Sequence, residues 1–265
     1  MSPKNSSQWH STLQLYQRLG IRYVSLAPSD DSPASSTVSD AESVQGRPVV
    51  ENPKTEIPVA AVGDNPRWIT AATDTLQAME LKAFEQDIHD CQNCPLGSSR
   101  KSFVFGSGNP QAKVLFVGEA PGADEDDQGL PFVGRAGQLL TKIIESTQTW
   151  KRSDVFICNV LKCRPPGNRT PLPEEVEQCM PYLAEQIQII QPKLIMALGA
   201  VAGQTLLKSK DSVGKMRNRW HDYQGIPLRV TYHPSALLRF DGYKKDVWQD
   251  MKDLTAKYKE LEGLV

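Results

Sequence analysis

The chain has 265 residues, a formal net charge of −1, 39% hydrophobic and 23% charged residues. That is enough chain for one full-sized α/β domain with material to spare, and the composition is that of an ordinary globular protein. No apolar run approaches the roughly 18 residues that cross a bilayer. The N-terminal ten residues lack the apolar stretch of a secretory signal, so the expected location is cytoplasmic (intracellular), away from membranes.

In chain order, residues 1–27 carry Trp9, Leu13, Leu15, Tyr16 and Leu19, a pattern that fits one short amphipathic helix. Residues 28–66 hold six serines, six prolines and no aromatic side chain, with seven acids against Arg47 and Lys54. Such a segment cannot bury enough apolar surface to offset its chain entropy, and it is expected to be a disordered acidic linker. The folded-domain candidate is then 67–265. It opens on a helical pattern of Ile69, Leu76, Met79, Leu81, Phe84 and Ile88, which leads into the turn Cys91-Gln-Asn-Cys94.

Four short apolar runs follow, at Lys113–Gly118, Asp154–Val160, Lys193–Gly199 and Ile226–Tyr232. Helical stretches at Arg135–Thr147, Pro173–Ile190, Ala200–Leu207 and Lys244–Leu261 separate or follow them. This alternation predicts βαβ units with a parallel sheet covered on both faces. In open sheets of this kind ligands bind outside the carboxyl ends of the strands. Those ends are Gly118-Glu119-Ala120-Pro121-Gly122, Asn159 to Cys163, Leu198-Gly199 and Tyr232-His233-Pro234-Ser235. Glutamates, an asparagine and a histidine are therefore expected in one crevice.

The stretch 117–140 is the densest in signals. It is read as an acidic, glycine-rich loop containing Glu119, Glu125 and Phe132, and it lacks the phosphate-cradling pattern G-x-x-x-x-G-K-[ST]. Phe132, beside Pro131, could pack under the loop or offer a platform for a stacked base. Asn159 and His233 are each weak signals, but at neighbouring strand tips an amide and an imidazole could read the edge of a planar base and stabilise charge on it. Cys91, Cys94, Cys163 and Cys179 match a metal pattern, and their spacing leaves zinc and iron–sulfur both open. Cys158 falls inside a strand and reads as core. Between Lys208 and Lys245 nine basic residues face three acids, which permits a polyanionic partner as readily as a solvated face.

Taken together, Gly118-Glu-Ala-Pro-Gly122, Pro131-Phe-Val-Gly134, Ala136-Gly-Gln-Leu-Leu140, Asn159-Val-Leu-Lys-Cys-Arg-Pro-Pro166 and Tyr232-His-Pro-Ser-Ala-Leu-Leu-Arg239 resemble the uracil-DNA glycosylase superfamily, in particular its iron–sulfur-containing family 4. The resemblance covers roughly Leu76 to Leu254. It implies a three-layer α/β/α sandwich on a four-stranded parallel sheet and a [4Fe–4S] cluster on Cys91, Cys94, Cys163 and Cys179. It implies hydrolysis of the N-glycosidic bond of uracil in DNA, by a monomer, with Glu119, Glu125, Asn159 and His233 as catalytic positions. Ala120, Phe132, Asn159 and His233 would contact the substrate, and Leu237 would wedge into the space the flipped base leaves. Glu125 ranks slightly above Glu119 for handling water. Several other branches carry Asp or Asn where this chain has Ala120, which leaves water activation the least determined step. A non-catalytic DNA-binding module or a redox iron–sulfur module on the same fold are the alternative readings.

Overall fold

The computed structural model describes residues 67–264, with side chains from residue 75 onward. The helix expected within 1–27 and the linker expected at 28–66 lie outside the described residues.

Helix α1 (Arg67–Ile88) leads to a short α2 (Leu96–Ser99). A first strand β1 (Ser107–Gly108) precedes β2 (Val114–Gly118), and β3 (Phe156–Asn159), β4 (Leu194–Leu198), β5 (His221–Tyr223) and β6 (Ile226–Thr231) complete a six-stranded sheet of order β1-β3-β2-β4-β6-β5. The four inner strands are parallel, as expected. The two outermost, β1 and β5, are antiparallel additions of two and three residues that the sequence reading did not contain. They are too short to show a period of two.

Every residue of β2, β3 and β4 is buried, so these strands are apolar runs with both faces covered. Side chains alternate between the two layers. Leu115 and Val117 of β2 join one core cluster with Phe156, Ile195 and Val230, while Val114 and Phe116 join the other with Ile157, Leu194 and Met196. The first cluster is closed by α5 (Pro173–Ile190) through Leu183 and Ile187 and by α6 (Ala200–Leu207) through Ala202 and Leu206. The second is closed by α4 (Arg135–Ser146) through Leu140 and Ile144 and by α9 (Tyr243–Leu261) through Val247, Met251 and Leu254. Three layers result, helix on sheet on helix.

Inside the stretch read as a loop lies a six-residue helix α3 (Ala123–Gln128), which begins at Gly122 and carries Asp124, Glu125 and Asp126 in its first turn. Carboxylates there face the positive end of the helix dipole. The helix is too short to reveal itself by apolar periodicity. Asp126, 3% exposed, ties it down by accepting hydrogen bonds from the Lys101 N–H at 2.9 Å and the Ser102 N–H at 3.3 Å.

The connection from β2 runs to β3 on one side, and that from β4 runs to β6 on the other. Adjacent strands whose exits diverge leave a crevice at their carboxyl ends. Here that crevice opens between Gly118 and Leu198.

Candidate active site at the strand tips

A cavity of about 480 Å³ occupies this crevice, and its walls include Glu119, Ala120, Glu125, Phe132, Asn159 and His233. Six residues singled out in the sequence thus meet in one place. Asn159 ends β3 in register with Gly118 of β2. A side chain at Gly118 would strike both the Asn159 Oδ1 and the Phe132 ring, so glycine is what lets amide and aromatic converge. Asn159 is 1% exposed, and its Oδ1 finds no hydrogen-bond donor among the described residues. A buried acceptor left so costs about 1–3 kcal/mol unless a partner reaches it.

Phe132 is held in a backbone conformation that few such residues adopt, with φ +54°. Its neighbours explain how. Arg152 donates to the Pro131 carbonyl at 2.7 Å and to Thr141 Oγ1 at 2.9 Å. The Glu125 Oε1 accepts from the N–H groups of Val133 and Gly134 at 2.9 and 3.0 Å, and its Oε2 from Gly122 at 3.1 Å. Gly137, one turn into α4, lies directly against the Phe132 backbone. The ring ends up 5.5 Å from that of His233, tilted by 36°.

His233 follows β6 and caps α8 (Pro234–Leu237), its Nδ1 accepting the Ser235 N–H at 3.2 Å with Ser235 Oγ 2.8 Å away. That leaves the proton of a neutral ring on Nε2, as a donor. Burial lowers the imidazole pKa to about 4; the Glu125 charge works against that shift and Arg239 with it. The ring is neutral near pH 7.

The two glutamates differ in what they touch. Glu125 is spent on three backbone amides, so its carboxylate is a clip for the loop. The Glu119 carboxylate has no hydrogen-bond partner among the described residues, and burial raises its pKa above the usual carboxylate range. The slight preference for Glu125 as the water-handling residue is thus at odds with its saturated oxygens. Ala120 lines the same cavity and packs against the first core cluster.

Leu237 departs from expectation. It is 2% exposed and sits in the second core cluster with Phe132 and Leu140, so it offers DNA no surface in this conformation. The next residue, Leu238, is 44% exposed.

The four cysteines come from three segments: the turn after α1, the loop after β3, and α5. The Tyr182 O–H donates to Cys91 Sγ at 3.1 Å, Arg100 to Cys163 Sγ at 3.4 Å, and the Lys162 N–H to Cys179 Sγ at 3.3 Å. Burial pushes the Cys163 thiol up to about 11, with Cys179 and Cys94 close enough to add to the rise. Among the described residues no three His, Cys, Asp or Glu side chains gather as ligands of a single metal ion. Cys158 is fully buried core, as expected.

Sequence reasoning passed over several residues. Arg135, Arg169 and Arg239 stand exposed at the cavity. Arg169 is braced by both Glu175 oxygens at 2.6 and 2.9 Å. Arg152 acts through the Pro131 carbonyl and Thr141, and Ser235 through the His233 ring nitrogen. The proline-flanked Arg164–Arg169 loop was a usable signal for Arg169, but nothing marked Arg152.

An open α/β sheet with an amide-bearing cavity at its switch point defines the class of α/β proteins that bind ligands at their strand tips. The family model of the uracil DNA glycosylase superfamily matches residues 105–252. A type-4 uracil-DNA glycosylase of Pyrobaculum aerophilum is 43% identical over 183 residues, 65% of this chain and 92% of that protein. The type-4 enzyme of Thermotoga maritima is 46% identical over 161 residues, 60% of this chain and 83% of that protein, and that of Saccharolobus solfataricus 41% over 180 residues, 65% and 83%. The chain belongs to the uracil DNA glycosylase superfamily.

Proposed function

We propose that the chain is a monofunctional uracil-DNA glycosylase that removes uracil from DNA by hydrolysing the N-glycosidic bond. The single observation that carries this is the buried, unpartnered Asn159 Oδ1 facing a cavity walled by Phe132 and His233. Oδ1 is an acceptor suited to the uracil N3–H, and the amide N–H₂ a donor suited to O4. Cytosine presents the reverse pattern there and would leave the amide unsatisfied. The base must leave the stack to reach this depth, at a cost of a few kcal/mol.

Once in place, uracil lies along Phe132 and departs with negative charge on its ring. The Nε2–H of neutral His233 would donate to O2 as that charge grows, fixed in its tautomer by Ser235. Glu119 holds or polarises the attacking water, and its raised pKa makes it a better proton acceptor than an ordinary carboxylate. Glu125 keeps Phe132 and Gly134 in position. The wedge is Leu238, the exposed neighbour of Leu237. Arg135, Arg169 and Arg239 would face the phosphates.

The donor set fits a [4Fe–4S] cluster on Cys91, Cys94, Cys163 and Cys179. Three of the sulfurs receive hydrogen bonds that stabilise thiolates, and four cysteine thiolates are the ligand set of such a cluster. Such a cluster would tie α1, the β3 loop and α5 together.

A uracil-containing duplex treated with the protein and then alkali should break at the uracil. Asn159→Ala and His233→Ala should each lower the single-turnover rate about 10²–10³-fold with DNA affinity retained. Equal loss of affinity and rate would assign them to binding alone, and no break at uracil with wild-type protein would remove the glycosylase reading.

A further inference from the structure

Lys162 is 0% exposed, one of the largest fully buried side chains. Its Nζ donates to the Asn159 carbonyl at 2.8 Å and to Gln186 Oε1 at 2.6 Å, and Gln186 Nε2 passes a hydrogen bond on to the Phe105 carbonyl at 2.9 Å. Both acceptors are neutral. No carboxylate among the described residues pairs with this ammonium, although an unpaired charge in a protein interior is strongly disfavoured.

The groups that could carry the missing negative charge are thiols. The Lys162 N–H donates to Cys179 Sγ at 3.3 Å, and Cys163 is the next residue. That contact is made by the backbone, while the side-chain Nζ of the same residue grips the backbone carbonyl of Asn159, whose amide faces the cavity.

We propose that Lys162 is the buried counter-charge of the four-cysteine site and a positioning residue for Asn159, joining metal-bound thiolates to the base-reading strand tip. The idea rests on the cluster reading given above. It explains why a fully buried lysine without an acid partner among the described residues is tolerated. It also gives the cluster a route to the pocket that passes through a fixed charge and one carbonyl. Removing a positive charge beside a cluster makes an added electron less welcome, so the reduction potential must fall.

The test uses the purified holoprotein and two variants. Lys162→Met keeps the length of the side chain and removes its charge. Gln186→Glu keeps the lysine but supplies it with a carboxylate, and it serves if the first variant does not fold. Iron per chain, the midpoint potential of the bound cluster, and kcat and KM for a uracil-containing duplex are measured on each. The expected result is a potential moved in the negative direction in both variants, with kcat in Lys162→Met down ten- to a hundred-fold and KM little changed. Iron-loaded variants with an unmoved potential would overturn the proposal, whatever stability they lose. A wild-type protein that releases uracil without holding iron would overturn it together with the cluster reading, leaving the glycosylase reading intact. Shifted potentials in a protein that releases no uracil would uphold the counter-charge and fault the glycosylase reading instead.

Discussion

Glu119 and Glu125 sit six residues apart in one stretch and have opposite situations. One carboxylate is satisfied by three backbone amides, and the other faces the cavity without a partner among the described residues. Sequence could place both at the tip of β2, but the partners of Glu125 are N–H groups, which leave no trace in residue type. Glu119→Gln should therefore lower kcat about 10²-fold or more with little change in unfolding free energy. Glu125→Ala should instead lower stability, since it strips three amides of their acceptor. The pH dependence separates His233 from them as well. Its folded pKa of about 4 lies below the ordinary 6.5, so the neutral ring contributes stability that is complete above pH 6.5 and is lost as pH falls through 4. The acid limb of kcat/KM should then belong to Glu119, whose pKa burial has raised, and should flatten in Glu119→Gln. A limb that persists unchanged in that variant would assign it elsewhere.

At the scale of elements, the parallel strands and the long helices were legible because each carries its period in its own apolar residues. Val114 to Val117 and Leu194 to Leu198 are read as buried strands before any contact is known. Helix α3 and the two edge strands escaped that logic, having too few residues for a period to show. The Leu237–Leu238 pair shows the limit more sharply: two identical residues in a row differ only in which way a one-turn helix points them. Leu237→Ala should cost about 2–5 kcal/mol in urea unfolding. Leu238→Ala should leave stability unchanged and slow uracil release from duplex more than from single strands. The reverse pattern would return the wedge to Leu237. Gly137 makes a second case, since α4 can lie on the Phe132 backbone only if it has no Cβ there. Gly137→Ala should cost at least about 1–3 kcal/mol and weaken uracil binding through a displaced Phe132, read from the unfolding midpoint and product inhibition.

For the whole molecule, the most useful prediction was that functional side chains gather at the carboxyl ends of the parallel strands. It located the crevice from alternation alone, and Glu119, Asn159 and His233 fell into it from three separate strands. Charge was less legible. The basic excess at 208–245 is partly absorbed inside, where Arg217 and Arg229 pair with Asp250. The cations left at the cavity rim, Arg135, Arg169 and Arg239, are spread along the chain. Arg239→Gln should weaken DNA binding at all sequences and reduce the slope of log affinity against log salt by about one phosphate contact. An unchanged slope would place that side chain off the phosphate path.

The two brief antiparallel strands at the margins of the sheet have a bearing on how the protein behaves in a crowded solution. A parallel sheet that ended on β3 and β6 would expose rows of unpaired backbone donors and acceptors to which a second chain could add. With β1 and β5 in place the sheet ends on two residues at one side and three at the other, too little for a stable intermolecular ladder. The folded domain should accordingly resist edge-to-edge aggregation, and its precipitation on heating should follow global unfolding without preceding it.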